Sequence, residues 1–186
     1  MKNKKKRAKD SKKKKNKIIF SALLLFFAFC FIILFKGLNN SNKYIPKKIP
    51  EKNLINFNSK DLYSENKISS DQIFLGSEFY ILNIWASWCL PCREEHSKLV
   101  ELSKNPFIKL IGLNYKDNPI NAKKFINLFG NPYSIIVTDF DGTISIELGA
   151  YGVPETIIIN KEKKIIKKFI GPLNNKSLKE INLILK

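Results

Sequence analysis

Histidine and cysteine are scarce in this sequence, which has one histidine and three cysteines among its 186 residues. The histidine is His96, and the cysteines are Cys30, Cys89 and Cys92. A structural zinc site takes four side-chain ligands, most often cysteine and histidine. Because Cys30 lies far from the others within a long uncharged run, no complete ligand set is available. We therefore expect no metal site, and nothing in the chain predicts a cofactor.

Charged residues are missing from residues 18–35, which read IIFSALLLFFAFCFIILF. A helix rises about 1.5 Å per residue, so this run extends roughly 27 Å and just crosses the hydrocarbon core of a bilayer. The sequence therefore predicts one transmembrane helix at residues 18–35.

Acidic residues are almost absent from residues 1–17, where eleven lysine or arginine residues accompany Asp10 alone. A basic tail can bind nucleic acid. Beside a membrane span, however, basic residues mark the cytoplasmic side. We interpret residues 1–17 as a cytoplasmic tail, expect the chain after the span to be exported, and expect no functional binding of nucleic acid.

The apolar run has two alternative interpretations, a cleaved signal peptide and a lipid-modified Cys30. A cleaved signal peptide has an apolar region of about 7 to 15 residues that ends at small residues. Here Phe29, Cys30 and Phe31 stand near the end of the run. Lipid-modified cysteines resemble one another in following small residues, whereas Phe29 precedes Cys30. We interpret Cys30 as a small apolar residue of the span.

Residues 36–50 are rich in Asn, Lys and Pro, a composition typical of a linker. The remaining residues, 51–186, are enough for one domain with its own core but not for two. Hydrophobic periodicity in this region predicts strands at 79–85, 108–113, 134–138, 156–159 and 165–170, and helices at 90–103, 119–129 and 177–184. The order β-α-β-α-β-β-α implies an α/β fold in which helices cover both faces of a mixed sheet.

The chemistry is expected at Cys89 and Cys92, where a predicted buried strand gives way to a helix. Backbone N–H groups and the helix dipole favour an anion at a helix start, so Cys89 is predicted to attack as a thiolate. Residues three apart share one helix face, which lets Cys92 resolve a mixed disulfide formed by Cys89. The same periodicity places Glu95 on the solvent face of this helix.

Two further interpretations of the cysteines were considered. A static structural disulfide is possible in an oxidising compartment, but so short a loop gains little stability from closure. A cysteine–histidine hydrolase could pair a cysteine with His96, but it would leave Cys92 without a purpose. We therefore predict a redox-active dithiol, and a partly exposed His96 with no catalytic role.

A second group of residues precedes a predicted strand, at Tyr151-Gly152-Val153-Pro154-Glu155-Thr156. Proline cannot donate a ladder hydrogen bond. From the residues alone, a trans Pro154 that opens the strand is favoured. A cis Val153–Pro154 bond would instead make a sharp turn that presents the Val153 backbone to an extended substrate.

Together these groups resemble the thioredoxin superfamily, in which Trp-Cys-x-x-Cys faces a cis-proline loop. Within it the sequence is most similar to the CcmG/DsbE family of membrane-tethered periplasmic reductants of cytochrome c maturation. Five segments carry the resemblance: LNIWASWC at 82–89, CREEH at 92–96, GLNYKD at 112–117, GNPY at 130–133 and GAYGVPET at 149–156. Residues 44–76 match the family only loosely.

The resemblance implies a thioredoxin fold, a cis Pro154, and a substrate site at Trp88, Val153, Pro154 and Glu155. Glu155 is then expected to tune the thiols or to contact the partner; a solvated charge at a strand end is the alternative. Asn83 stands where ordinary thioredoxins resemble one another in having a buried aspartate that handles protons. This difference argues against general disulfide reduction.

Haem attachment requires free thiols in the Cys-x-x-Cys-His motif of apocytochrome c, while the compartment oxidises them. The resemblance therefore implies a reductant in the bacterial inner membrane, with its catalytic domain in the periplasm. Its substrate would be apocytochrome c or a haem-ligation protein, and a membrane thiol-disulfide transporter would supply electrons. Two rivals remain: a TlpA-like reductant for copper-site assembly of cytochrome oxidase, and a non-catalytic module that binds apocytochrome.

Overall fold

The computed structural model describes residues 2–39 and 52–185. The chain divides into two compact units, Met1–Lys47 and Lys48–Lys186. Of the predicted linker 36–50, residues 40–50 lie outside the described residues.

The first unit contains one long helix, α1 (Lys2–Asn39). It includes the predicted tail and span, together with the first four residues of the predicted linker. Within the described part of the chain, one stretch is long and apolar enough to cross a membrane: Ile19–Lys36, with a mean hydropathy of 2.6. This stretch is shifted by one residue from the predicted span. Its large apolar side chains are exposed, as Phe27 and Leu25 illustrate.

The described residues of the second unit form a single eight-stranded sheet with five helices. The strands are β1 (Lys52–Asn53), β2 (Asn58–Asp61), β3 (Lys67–Ser69), β4 (Phe79–Trp85), β5 (Ile108–Tyr115), β6 (Ile135–Asp139), β7 (Glu155–Asn160) and β8 (Lys164–Ile170). The helices are α2 (Ser70–Ile73), α3 (Leu90–Leu102), α4 (Pro119–Phe129), α5 (Thr143–Glu147) and α6 (Asn175–Ile184).

The sheet is mixed, with the strand order β1-β8-β7-β4-β5-β6-β2-β3. Strand β4 lies at its centre, parallel to β5 and antiparallel to β7, and β5 is parallel to β6. The parallel pairs are joined through α3 and α4, as parallel connections require. The predicted mixed sheet is therefore confirmed.

Two hydrophobic cores lie on opposite faces of the sheet, because successive strand residues point to opposite sides. On one face, Ile81 and Trp85 of β4 belong to a core that includes the buried residues of α3, α4 and α6. On the other face, Leu82 and Ile84 belong to a core with residues of α2 and α5. Helices thus cover both faces, as predicted.

All five predicted strands are present, with ends that differ by no more than two residues, and the three predicted helices are present as well. The sequence reasoning missed β1 to β3, α2 and α5. These elements have five residues or fewer, and β2 has the polar sequence NSKD. Such short segments carry too few repeats for hydrophobic periodicity to be recognised.

Candidate active site

Strand β4 leads directly to the cysteine pair. Its residues FYILNIW are almost all buried, as expected for a central strand covered on both faces. Helix α3 then begins with Cys89 as its N-cap, and the Cys89 Sγ accepts a 3.1 Å hydrogen bond from the Cys92 backbone N–H. Pro91 occupies the first turn, where its missing N–H leaves no hydrogen bond unmade. The Cys89 sulfur therefore lies at the positive end of the helix.

The two cysteines are joined by a disulfide bond with an S–S distance of 2.04 Å. Both are largely buried, with 4% of Cys89 and 2% of Cys92 exposed. The residues beside them are open to solvent: Trp88 is 59% exposed and Leu90 is 63% exposed. Exposed apolar side chains thus flank the buried Cys89 in sequence on both sides.

A carboxylate holds the segment before the dithiol. Asp117 Oδ2 accepts a 2.6 Å hydrogen bond from the Ser87 backbone N–H, and Asp117 Oδ1 accepts a 2.7 Å bond from Ser87 Oγ. Two further donors bind the same carboxylate, the Asn114 side-chain amide at 3.0 Å and the Asn118 backbone N–H at 2.8 Å. These four hydrogen bonds hold the Asp117 carboxylate in place, and the residue is only 9% exposed.

The neighbouring tryptophan is held by the same segment. Trp88 Nε1 donates a 3.0 Å hydrogen bond to the Lys116 carbonyl oxygen. Lys116 has a φ of +43°, an uncommon value for a residue other than glycine. Residues 114–117, which the family resemblance includes, therefore contact both residues that precede Cys89. We call residues 114–118 the socket.

The Val153–Pro154 peptide bond is cis. The implication of the family resemblance is confirmed at this bond, and the trans alternative is wrong. Antiparallel pairing places Ile84 opposite Glu155, and parallel pairing places Trp85 opposite Asn114. The proline loop, the socket and the segment that leads to Cys89 therefore leave the sheet at the same edge.

Glu155 is buried, with 1% of its surface exposed. Its Oε1 accepts backbone N–H bonds from Tyr151 at 2.6 Å and Gly152 at 3.2 Å. Its Oε2 lies 2.6 Å from the ammonium of Lys168, whose side chain is 6% exposed. Lys168 also donates to the Gly149 carbonyl oxygen. The alternative of a solvated charge is wrong, because Glu155 and Lys168 together bind the loop that precedes Pro154.

A buried polar network centred on Asn83 includes Glu95, which lies one turn after Cys92 on helix α3. The Asn83 amide donates to Glu95 Oε1 at 2.9 Å and to Thr156 Oγ1 at 3.1 Å, and the Asn83 Oδ1 accepts from the Tyr133 hydroxyl at 2.8 Å. Glu95 Oε2 accepts a 2.7 Å bond from the Leu173 backbone N–H. Every one of these side chains is therefore held by the network.

Burial dominates the titration of this network. It raises the pKa of Glu95 to about 7, although the hydrogen bonds from Leu173 and Asn83 oppose the shift. Burial, and to a smaller extent the charge of Glu95, also raises the pKa of Tyr133 well above its usual value. Glu95 thus exchanges a proton near neutral pH, while Tyr133 remains a hydrogen-bond donor.

Two expectations about α3 are wrong. Glu95 was placed on the solvent face, but it is 0% exposed and shares the buried face with Cys92 and Leu99. The spacing itself was a usable signal, because Glu95 follows the buried Cys92 by three residues. His96 was expected to be partly exposed, but it is 3% exposed.

His96 is buried because aromatic residues of α4 surround it. Its Nε2 donates a 2.9 Å hydrogen bond to the Gly130 carbonyl oxygen, and its ring packs edge-on against Phe125. Burial lowers the pKa of His96, and the hydrogen bond to Gly130 partly opposes this effect. These contacts hold α3 against the end of α4.

The strand register brings the ends of β4 and β7 that carry Cys89, Cys92, Trp88, Val153, Pro154 and Glu155 to the same edge of the sheet. The roles expected for these residues stay predictions. The sequence analysis assigned no role to Asp117, Lys168, Glu95 or Tyr133. Within residues 2–39 and 52–185, no group of three or more His, Cys, Asp or Glu side chains is arranged to hold a metal ion.

Comparison with known proteins agrees with this arrangement. The Redoxin family model matches residues 48–184. Over 142 residues the chain is 34% identical to the thiol:disulfide interchange protein DsbE of Allochromatium vinosum, covering 76% of this chain and 78% of that protein. Over 136 residues it is 39% identical to DsbE of Vibrio cholerae, covering 73% of this chain and 70% of that protein.

Solved structures share the fold. A secreted Mycobacterium tuberculosis disulfide oxidoreductase superposes with a TM-score of 0.58 at 17% identity, over 69% of this chain and 93% of that chain. StoA from Bacillus subtilis superposes with a TM-score of 0.55 at 26% identity, over 72% of this chain and 99% of that chain. The predicted thioredoxin fold is confirmed.

A disulfide at a helix start, set at the edge of a thioredoxin-type sheet beside a cis-proline loop, defines a thiol-disulfide oxidoreductase. The extent and identity of the matches to two DsbE proteins specify the branch of that class. The chain belongs to the CcmG/DsbE family of thiol:disulfide interchange proteins.

Proposed function

We propose that this protein is a membrane-anchored periplasmic reductant of cytochrome c maturation, and that its targets are disulfides of apocytochrome c or of a haem-ligation partner. The observation that carries the proposal is the Cys89–Cys92 disulfide at the start of α3, next to the cis-proline loop. The five sequence segments shared with the CcmG/DsbE family support this pathway. The Asn-Tyr-Lys-Asp and Gly-Val-Pro-Glu segments favour it over copper-site assembly.

In the reductive step, the Cys89 thiolate attacks one sulfur of the target disulfide. A mixed disulfide forms between Cys89 and the target, and the other target sulfur leaves as a thiolate. The Cys92 thiolate then attacks Cys89 Sγ, which forms the Cys89–Cys92 bond and releases the second target thiol. Two electrons pass from the dithiol to the target. A membrane thiol-disulfide transporter then restores the dithiol.

Glu95 is proposed to exchange the proton of Cys92. It lies one turn after Cys92 on the buried face of α3, and burial raises its pKa to about 7. A group with such a pKa can accept a proton from a thiol and return it at the pH of the compartment. This role takes the place of the buried aspartate that is absent at position 83.

The target is proposed to bind as an extended segment across Trp88, Val153 and Pro154. Trp88 offers an exposed ring. In the proposed binding mode the Val153 backbone, which precedes the cis bond to Pro154, pairs with the target as with an added strand. Glu155 supports this surface through its hydrogen bonds to the loop backbone. We assign it to substrate binding through loop position, since the Lys168 ammonium neutralises its charge.

The first unit supports the proposed location. The apolar stretch Ile19–Lys36 would cross the inner membrane once, with the basic tail in the cytoplasm and the oxidoreductase in the periplasm. Anchoring would keep the dithiol near its membrane electron donor and raise the frequency of their encounters.

Mixed-disulfide trapping tests the proposal. Cys92→Ser leaves Cys89 able to attack but unable to be released, so the variant is expressed in the native host and its covalent adducts are identified by mass spectrometry. The matched control is Cys89→Ser/Cys92→Ser, which cannot form adducts through this pair. Capture of apocytochrome c or of a haem-ligation protein is the expected result.

Other adducts point to other functions. Copper-assembly proteins in the Cys89-dependent adducts would move the protein to the assembly of cytochrome oxidase. If no Cys89-dependent adduct forms, and a Cys89→Ala/Cys92→Ala variant still supports cytochrome c maturation, the protein is a binding module and the reductant proposal is wrong.

A further inference from the structure

Asp117 binds the segment before the dithiol more extensively than any sequence feature suggests. Two of its four hydrogen bonds go to Ser87, which precedes Cys89 by two residues. The other two hydrogen bonds come from Asn114 and Asn118, which belong to the same socket as Asp117. The carboxylate therefore connects the end of β5 to the segment that carries the attacking thiol.

The charge of Asp117 has no ionic partner in the part of the chain that the structure describes. The four ion pairs described there involve Glu78, Asp71, Glu180 and Glu155 as their acids. Asp117 is instead surrounded by neutral donors and is 9% exposed. A charge so little exposed to water is weakly screened, and its field acts on neighbouring groups.

We propose that Asp117 is a positioning residue of the dithiol reaction, which fixes the Ser87–Trp88 segment and makes the reduced pair a stronger electron donor. The inference rests on the proposed role of Cys89 and Cys92 as the redox centre. It adds a residue whose charge acts on the dithiol without contact with the target.

The direction of the electrostatic effect follows from charge alone. Reduction of the disulfide creates a thiolate at Cys89, while the disulfide itself is neutral. A fixed negative charge nearby raises the free energy of the thiolate and leaves that of the disulfide unchanged. The oxidised form is thereby favoured, so the reduced dithiol gives up its two electrons more readily.

The socket also shows the strain that often marks a functional segment. Lys116 adopts a φ of +43°, and its carbonyl oxygen accepts the Trp88 Nε1 bond. A residue other than glycine in this conformation is strained and persists where surrounding contacts impose it. The hydrogen bonds from Ser87 to Asp117 and from Trp88 to Lys116 thus join the socket to the segment before Cys89.

The test measures the equilibrium of the full chain, purified in mild detergent, with a glutathione buffer of known composition. Asp117→Asn keeps the size of the side chain and removes its charge. We expect the equilibrium to shift about tenfold toward the reduced pair, which for two electrons corresponds to about 30 mV. An unchanged equilibrium would overturn the electrostatic part of the inference, whatever the variant does to stability.

Asp139→Asn is the matched control. The Asp139 carboxylate also accepts two hydrogen bonds from one serine, a 2.9 Å bond from the Ser145 backbone N–H and a 2.6 Å bond from the Ser145 hydroxyl. This serine, however, lies at the start of α5. Asp139 is similarly buried, and among the hydrogen bonds described its carboxylate binds neither residues 86–96 nor the socket. The Lys116 N–H donates to the backbone carbonyl oxygen of Asp139, which the variant keeps. A tenfold shift in this control as well would show that loss of any buried carboxylate suffices, and would contradict the inference.

Ser87→Ala provides a second variant, which keeps the charge and removes only the Ser87 Oγ bond. We expect its equilibrium to stay within twofold of the native value and its rate constant for reduction of a disulfide peptide to fall at least threefold. An unchanged rate constant would refute the positioning role. If the native pair does not exchange with glutathione at all, the redox centre itself is wrongly assigned and both proposals fall.

Discussion

The side-chain amide of Asn83 donates a 2.9 Å hydrogen bond to Glu95 Oε1, and both residues are 0% exposed. Glu95, the buried acid of this pair, is therefore carried by helix α3 and faces a neutral amide on β4. The Asn83 amide donates to a carboxyl oxygen of Glu95 and carries no charge of its own.

Glu95→Gln is expected to change how stability depends on pH. The pKa of Glu95 is raised from 4.5 to about 7 in the folded chain. The folded chain therefore binds this proton more tightly than the unfolded chain does. The resulting contribution to the unfolding free energy is fully present below pH 4.5 and is lost as the pH rises through 7. Relative to the native protein, the variant should gain up to about 3 kcal/mol in unfolding free energy between pH 4.5 and pH 8.

Urea unfolding of both proteins across this pH range provides the measurement. Glu94→Gln, at the exposed neighbouring position, tests whether the effect requires burial. A difference between native protein and Glu95→Gln that stays constant from pH 4.5 to pH 8 would contradict the assigned titration.

Asn83→Asp should destabilise the protein at pH 8. The new carboxylate would lie beside Glu95 in a site without a cation among the contacts described, and two adjacent buried carboxylates cannot both ionise without a large cost. We expect a loss of about 2–4 kcal/mol in unfolding free energy at pH 8. The double variant Asn83→Asp/Glu95→Gln, which restores a single carboxyl group, should recover most of this loss, and failure to recover would argue against charge repulsion as the cause.

Lys168→Met should be strongly destabilising, because it leaves the Glu155 carboxylate buried without its cation. Loss of one partner of a buried ion pair costs about 3–5 kcal/mol. The variant Glu155→Gln/Lys168→Met removes both charges and should be more stable than Lys168→Met alone. Unfolding measurements on Glu155→Gln, Lys168→Met and the double variant give the coupling energy between the two side chains.

The outcome also bears on the loop. If the double variant is no more stable than Lys168→Met, the pair does not hold the 149–155 segment. Lys167→Met is a suitable control, since the side chain of Lys167 is 43% exposed and pairs with Glu180 at the surface. Exposed pairs of that kind contribute little, about 0–1 kcal/mol.

Gly112→Ala should disturb the packing of Trp85 against Tyr133, which belongs to the Asn83 network. A Cβ at position 112 would lie 2.9 Å from Trp85 Nε1 and 3.1 Å from the Tyr133 ring. Both rings are buried and stacked, with centroids 5.7 Å apart, so neither can move freely. We expect a loss of about 1–3 kcal/mol, measured by urea unfolding.

Gly152→Ala serves as its control, because no atom lies within 4 Å of the Cβ position at Gly152. Its unfolding free energy should remain close to the native value. An equal loss in the two variants would mean that contact with Trp85 and Tyr133 is not the cause.

Much of the fold could be predicted from the sequence because its central elements are long and their hydrophobic patterns are unambiguous. Strand β4 was predicted with its observed ends, and α4 likewise. The position of the dithiol followed from the junction between β4 and α3. The cis Pro154 needed the family resemblance, since local preference favours a trans bond.

The partners of the buried acids could not be predicted, because they are distant in sequence. Glu95 is satisfied by Leu173, 78 residues further along the chain, and Glu155 by Lys168. Residue type alone places a glutamate on the surface. Only the folded arrangement brings together the amide, the backbone N–H and the ammonium that make their burial possible.

The separation of the socket from the dithiol in sequence has a consequence for protein engineering. The segment 86–96 contains every sulfur of the active site, yet its conformation depends on residues 114–118, which follow the next strand. A chimera that received only the Trp-Cys-x-x-Cys segment would leave Asp117 behind. Transplanting the donor chemistry into another scaffold therefore requires both loops, carried on two adjacent parallel strands with the register of β4 and β5 intact.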